Sequence, residues 1–252
     1  MKLLIDAGNT RIKWALASGD HRLHSGVFPI EQAHDLAQHL DRSCVNSRHV
    51  KQVWVSNVAG KEAEKYIRAA CAARQWQPHF IIAQASQCGV HNGYNQPSQL
   101  GSDRWAALIA AWHSTGRNCL VVNSGTATTI DALSTTGKFI GGLILPGLEL
   151  MQRSLCAATP LEKPVQGEYA PFPLNTDDAL LSGALQASCG AIERQHALLD
   201  DANAPVLLSG GAATRLQTHL LRARTHINLP IQIMDNLVLQ GLLLIAQEED
   251  AS

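Results

Sequence analysis

Two short segments of this chain join a tight turn to side chains that can hold phosphate. Asp6-Ala7-Gly8-Asn9-Thr10-Arg11 and Asn123-Ser124-Gly125-Thr126-Ala127-Thr128 each place a glycine between two apolar runs. Glycine lets successive backbone N–H groups converge on an anion. Asn9, Thr10, Thr126 and Thr128 could add side-chain donors. Asp6, at the end of its apolar run, could hold Mg²⁺ directly or through water. Each segment alone also reads as an ordinary β-hairpin with a polar turn. At matching positions in a duplicated unit, two such turns are expected to face each other across a cleft.

Two other segments carry chemistry-bearing residues. PVLLSGGAATRL (205–216) runs a short apolar strand into Ser209-Gly210-Gly211 and then a helix. That geometry lets a nucleotide approach the backbone and favours negative charge at the helix start. It also suits a plain strand-to-helix turn. In GSDRWAALIAAW (101–112), Asp103 and Arg104 fall in the first turn of a helix whose core stripe is Trp105, Leu108, Ile109 and Trp112. Asp103 could be a base beside a hydroxyl, with Arg104 clamping a carboxylate. Capping of the helix dipole is the alternative for Asp103.

Composition excludes several classes. Lys and Arg total 20 against 21 Asp and Glu, for a net charge of -1, so no broad basic surface offers itself to nucleic acid. The six cysteines, Cys44, Cys71, Cys88, Cys119, Cys156 and Cys189, stand singly and form no metal-ligand spacing. The eleven histidines are scattered and read as surface or packing residues. No apolar stretch approaches the roughly 20 residues of a membrane helix, and Asp6 interrupts any signal-peptide core. A cytoplasmic location without membrane partners is expected. Walker, dinucleotide-binding, zincin and nucleophile-elbow motifs are all missing.

The elements that must position these residues occur twice. Apolar alternation predicts strands at Leu3–Ile5, Ile12–Leu16 and His21–Phe28, with turns at Gly8-Asn9 and Gly19-Asp20. Ala33, Leu36, Ala37 and Leu40 mark a helix. A strand at Lys51–Asn57, a helix at Gly60–Arg74, a strand at His79–Ala83, a loop at Gln84–Leu100 and a helix at Ser102–Thr115 complete the first half. The second half gives strands at Cys119–Asn123, Thr128–Ser134 and Lys138–Leu145, then a long segment over Pro146–Asn175, helical at its start. A helix at Thr176–Leu199, a strand at Pro205–Ser209, a helix at Ala212–Arg222, a strand at Pro230–Asp235 and a helix at Asn236–Gln247 follow. Each half reads βββαβαβα. Shifted by 117 positions, Leu3–Leu16 lies over Leu120–Leu133 with four identities in fourteen, Gly8 meeting Gly125.

D-x-G-N-[ST] near residue 6, G-x-D-R near 101, G-T-A-x-T-x-D near 125 and a late G-G-A, in this order, resemble the type III pantothenate kinases of the actin/Hsp70/sugar-kinase superfamily. The resemblance spans nearly the whole chain. It implies an α/β fold of duplicated ribonuclease H-like (actin-like ATPase) domains with mixed sheets, at 1–117 and 118–252. The implied activity is ATP-dependent phosphorylation of the pantothenate 4'-hydroxyl, the first step of coenzyme A synthesis. Carried over by motif, Asp6 to Lys13 form the first phosphate loop, including Gly8 and Arg11. Asp6 helps place Mg²⁺, with Asn9, Thr10 and Lys13 near the phosphates, and Thr126 makes the second phosphate contact. Gly210 and Gly211 face the adenosine. Asp103 accepts the proton. Tyr94, Gly101, Ser102 and Arg104 line the pantothenate pocket, and Thr176 completes it. Family members are homodimers and use K⁺ or NH₄⁺.

One departure stands out. Where many members have D-x-G-T, this chain has Asn123-Ser124-Gly125-Thr126. The aspartate is the expected monovalent-cation ligand. An amide keeps a carbonyl oxygen but loses the charge, so weaker or altered cation dependence is expected, although Asp131 is retained. Two alternatives remain at this point: a non-enzymatic regulator like the Bvg accessory factors, and a kinase of the same superfamily for a sugar or another hydroxy acid. Arg104 favours an acceptor bearing a carboxylate.

Overall fold

The computed structural model describes residues 1–19, 21–42, 50–158, 167–222 and 229–251. Asp20 of the predicted first-half turn, Cys44 and residues 159–166 of the long connecting segment lie outside the described residues. The chain divides into two units, Met1–Ser114 with Asn236–Ser252, and Thr115–Asp235.

In the first unit, β1 (Lys2–Ala7), β2 (Arg11–Ser18) and β3 (His21–Pro29) form an antiparallel meander. A 3₁₀ turn (Ile30–Asp35) and α1 (Leu36–Arg42) follow. β4 (Gln52–Asn57) then pairs parallel with β1, α2 (Lys61–Ala72) crosses over, and β5 (Pro78–Phe80) pairs parallel with β4. The sheet order is β3-β2-β1-β4-β5. β1 is central, and Leu3, Leu4, Ile5 and Ala7 are fully buried. Its near-continuous apolar run is what a strand covered on both faces requires. Leu3, Ile5, Trp14, Val53, Val55 and Ile67 anchor the core of this unit.

The predicted loop before the next helix holds regular structure. β6 (Ser86–Gln87) and β7 (Val90–His91) make a small hairpin, with Cys88 and Gly89 at φ 48° and 75°. Positive φ at both turn residues suits a tight hairpin. Cysteine is a rare choice there, which hid the turn in the sequence. A 3₁₀ turn (Pro97–Gln99) leads into α3 (Ser102–Thr115).

The second unit repeats the plan. β8 (Cys119–Ser124), β9 (Ala127–Leu133) and β10 (Phe139–Pro146) form a meander. α4 (Leu148–Ala158) and α5 (Thr176–Ala197) follow. β11 (Val206–Ser209), α6 (Ala213–Arg222) and β12 (Ile231–Ile233) complete a sheet of order β10-β9-β8-β11-β12. Position for position this is the order of the first sheet, as duplication demands.

The closing helix, α7 (Leu237–Ala251), departs from the expected division at 117/118. The units change over nearby, but α7 packs on β1 and β4 and belongs to the first unit. Its run LVLQGLLLIA is apolar all round, so it needs cover on more than one side. α3 supplies one side. A β-carbon on Gly241 would collide with the Ala106 carbonyl, so only glycine lets the two helices meet this closely. Among the described residues, no helix is long and apolar enough to cross a membrane.

Candidate active site

The predicted site residues divide between the units, and in each, Thr176 apart, they gather toward the carboxyl end of the parallel strand pair. That is where α/β sheets bind ligands. In the first unit, Asp6 stands one residue from the end of β1, in register with Lys13 on β2 and Ser56 on β4. Residues in register on neighbouring strands share a face. Asp6 is buried, and burial pushes its carboxyl from about 3.8 up to about 7. Lys13 opposes that rise, and the charge of Asp103 adds to it. Gly8 closes the following turn by donating its N–H to the Arg11 carbonyl at 3.1 Å. Asn9, Thr10 and Arg11 stand exposed at the turn.

α3 brings the second cluster. Ser102 is buried, and its hydroxyl lies 2.9 Å from the buried hydroxyl of Ser56. This bond ties the start of α3 to β4, beside the register position of Asp6. Asp103 follows, and its Oδ1 accepts the Arg104 N–H at 2.8 Å. Burial raises the Asp103 carboxyl above its ordinary range, while that hydrogen bond and the Arg104 charge pull it down. The carboxyl group is thus bonded to the first turn of α3 and partly withdrawn from water. A β-carbon on Gly101 would sit 2.7 Å from Asp103 Oδ1, so the glycine leaves room for the carboxylate. Arg104 is buried and donates to the Tyr94 hydroxyl at 3.0 Å, with its guanidinium 5.8 Å from the Tyr94 ring centre. Tyr94, Gly101, Ser102, Asp103 and Arg104 are therefore brought together in one unit.

In the second unit, Asn123 and Ser209 are register partners at the ends of β8 and β11. Gly210 and Gly211 follow Ser209 directly, so Asn123, Thr126 and both glycines share one sheet end. Gly210 has φ 96°, and a β-carbon there would collide with the Ser124 backbone. The Ala212 N–H donates to the Ser124 carbonyl at 3.2 Å, fixing the glycine turn against β8. Thr126 is exposed. Thr128, expected as a further donor to a ligand, is instead fully buried and pairs with the Ser124 hydroxyl at 2.9 Å. Its place on β9, one residue beyond the turn, points it inward. Thr176 is exposed at the start of α5, beside a cavity of about 460 Å³ that Met151, Leu155 and Leu180 also line.

Three residues with a part in this geometry were not singled out from the sequence. Ser56 is a hydroxyl at the end of a buried strand. Gly147 donates its N–H to the Thr126 carbonyl at 2.9 Å, and a β-carbon there would strike the Gly125–Thr126 backbone. Asn92 bonds within the loop that carries Tyr94. Only the Pro146-Gly147 break after a strand gave a signal of its own.

A family model described as type III pantothenate kinase matches residues 2–197. The chain belongs to the type III pantothenate kinase family. Curated proteins of that name are similar over nearly the full length. The one from Nitrosospira multiformis is 45% identical over 249 residues, covering 98% of this chain and 91% of its own. That from Burkholderia thailandensis is 46% identical, covering 97% of each. Gly210 and Gly211 lie beyond the stretch matched by the family model but within chains aligned this completely.

Solved structures extend the likeness at the level of fold. A Campylobacter jejuni chain proposed to be a Baf family transcriptional activator aligns with TM-score 0.62 at 21% identity, covering 99% of this chain and all of its own. Component A of the (R)-2-hydroxyglutaryl-CoA dehydratase of Acidaminococcus fermentans aligns with TM-score 0.60 at 10% identity, covering 100% and 99%. Such distant matches carry the fold alone. This type III pantothenate kinase family member has the duplicated ribonuclease H-like architecture of the actin-like ATPases, with two mixed sheets of one repeated order.

Proposed function

We propose that this chain transfers the γ-phosphoryl group of ATP to the 4'-hydroxyl of pantothenate, giving 4'-phosphopantothenate and ADP at the entry to coenzyme A synthesis. The observation that supports the reading is a half-buried carboxyl group and a buried guanidinium on adjacent residues. Asp103 and Arg104 begin α3, and Tyr94 lies against the guanidinium. Family membership supplies the substrate.

Asp103 takes the proton of the 4'-hydroxyl as its oxygen bonds the γ-phosphorus and the bond to ADP breaks. Such transfers run through a loose transition state, so placing the hydroxyl matters more than base strength. Arg104 takes the pantothenate carboxylate in a charge-assisted pair, with Tyr94, Gly101, Ser102 and Thr176 completing the pocket. Asn9, Thr10, Arg11 and Lys13 attend the phosphates, Gly8 shapes their turn, and Thr126, Gly210 and Gly211 receive the rest of the nucleotide.

Asp6 suits a Mg²⁺ site. It is a buried carboxylate driven up to about 7, a group that a nearby cation would return to its charged form. Among the described residues no three His, Cys, Asp or Glu side chains cluster as a cage. Mg²⁺ held by Asp6 would take its other ligands from phosphate and water and would neutralise charge on the phosphates. Asn123 offers a carbonyl where an aspartate is expected, so the response to K⁺ or NH₄⁺ is weak or altered. The free thiols of Cys71, Cys88, Cys119, Cys156 and Cys189 suit a cytoplasmic enzyme.

The test is a substrate panel with ATP and Mg²⁺, read by product mass and titrated with K⁺ and NH₄⁺. Pantothenate should gain one phosphoryl group. Pantothenyl alcohol, which lacks the carboxylate, should be poorer by roughly 10- to 150-fold in kcat/KM, the worth of a charge-assisted hydrogen bond. No phosphopantothenate from folded protein overturns the reading. A tight, absolute K⁺ requirement overturns the role given to Asn123.

A further inference from the structure

We infer that Asn92 is a positioning residue for the acceptor's carboxylate, acting through Tyr94 on Arg104; the inference rests on the pantothenate reading above. Asn92 stands where the β6–β7 hairpin ends, its N–H bonded to the Ala85 carbonyl at 2.9 Å. Its side chain then spans the loop ahead. Oδ1 accepts the Tyr94 N–H at 3.0 Å, and Nδ2 donates to the Pro97 carbonyl at 3.2 Å. One amide therefore closes residues 93–96 from both ends, the local pattern by which asparagine replaces a backbone turn.

What it closes is the loop that presents the Tyr94 phenol to Arg104. One end of that loop is bonded to α3, and the other runs through a turn into it. On one side, Gln87 of the hairpin is buried and accepts the Trp105 indole N–H at 3.0 Å. On the other, the Gln99 N–H bonds Gln96 at 3.0 Å and the Leu100 N–H bonds Pro97 at 3.1 Å, just before α3 begins. Hairpin, loop and helix start thus form a closed frame, and Asn92 is its cross-brace. Without the brace, Gly93 and the polar residues after it leave Tyr94 free to swing. The guanidinium then loses the hydroxyl that holds one edge of its fork. Asp103 sits on α3 itself and does not depend on the brace.

Steady-state kinetics of Asn92→Ala test this. The pantothenate KM should rise about ten-fold, the scale of one neutral hydrogen bond. Both kcat and the ATP KM should change by less than about two-fold, because the lost interaction is one of binding. Asn92→Asp keeps the acceptor for the Tyr94 N–H and should recover most of the loss. In a Tyr94→Phe background, Asn92→Ala should add almost nothing, since the two act on the same bond. A fall in kcat matching the rise in KM, or the full effect of Asn92→Ala retained beside Tyr94→Phe, overturns the inference. Amide hydrogen exchange separates this from failure of the pantothenate reading. In Asn92→Ala the Tyr94 amide should exchange faster while the Trp105 amide does not. If it does not accelerate, the brace is absent whatever the substrate.

Discussion

A carboxyl buried as deeply as Asp6 holds a proton in the folded chain that it gives up in the unfolded one. Its folded pKa of about 7 stands above the ordinary 3.8. Between those values the folded state binds the extra proton, so stability falls as pH rises. The contribution of Asp6 is complete below about pH 4 and gone above about pH 7, amounting to roughly 4 kcal/mol. Asp6→Asn should remove it. Urea unfolding of metal-free protein at pH 5 and pH 8 should show a smaller difference for the variant than for the parent, and equal differences would contradict the burial argument. The Ser56–Ser102 bond and the room left by Gly101 are of the same scale. Neither was legible in the sequence. A hydroxyl pair 46 residues apart leaves no periodic trace, and a glycine ahead of a helix usually means only a turn.

The secondary elements were far more legible. α3 and α5 follow from apolar spacing, and the duplicated meanders from alternation around Gly8 and Gly125. What escaped were features set by tertiary contact. The β6–β7 hairpin turns on Cys88, held by a hydrogen bond from its N–H to Glu248 at 2.8 Å. α7 announced its burial by being apolar all round but gave no sign of which sheet would cover it. Asn175 fixes the start of α5 locally, though its capping was not singled out from the sequence. Its Oδ1 accepts the Asp178 N–H at 2.9 Å as the N-cap of α5, and Asp178 Oδ1 in turn accepts the Glu168 N–H at 2.6 Å. Asn175→Ala should cost about 1 kcal/mol in urea unfolding and should loosen Thr176, raising the pantothenate KM. Unchanged stability and KM would show that the cap does not set the helix start.

At the scale of the whole molecule, the second unit exposes several large apolar side chains. Phe172 and Leu174 are 90% and 99% exposed, and Ile144 is 65% exposed. Covering side chains this open by a partner would take apolar area out of water. We propose that this chain forms a homodimer, as its family resemblance implies, and that Phe172 and Leu174 are covered in it. Sedimentation should find a dimer for the parent and a shift to monomer on joint replacement of Phe172 and Leu174 by serine. A parent that sediments as a monomer at micromolar concentration would contradict it.

The central claim is that α3 presents the base for phosphoryl transfer to pantothenate, and Asp103→Asn tests it most directly. ATP affinity by calorimetry and pantothenate turnover by product mass are measured on the same preparation. Turnover should fall by roughly 10²- to 10⁴-fold, the usual worth of general base catalysis, with ATP affinity within about two-fold of the parent's, Asp103 being no nucleotide contact. Near-normal turnover, or an equal loss of turnover and ATP affinity, would take the base role away from Asp103.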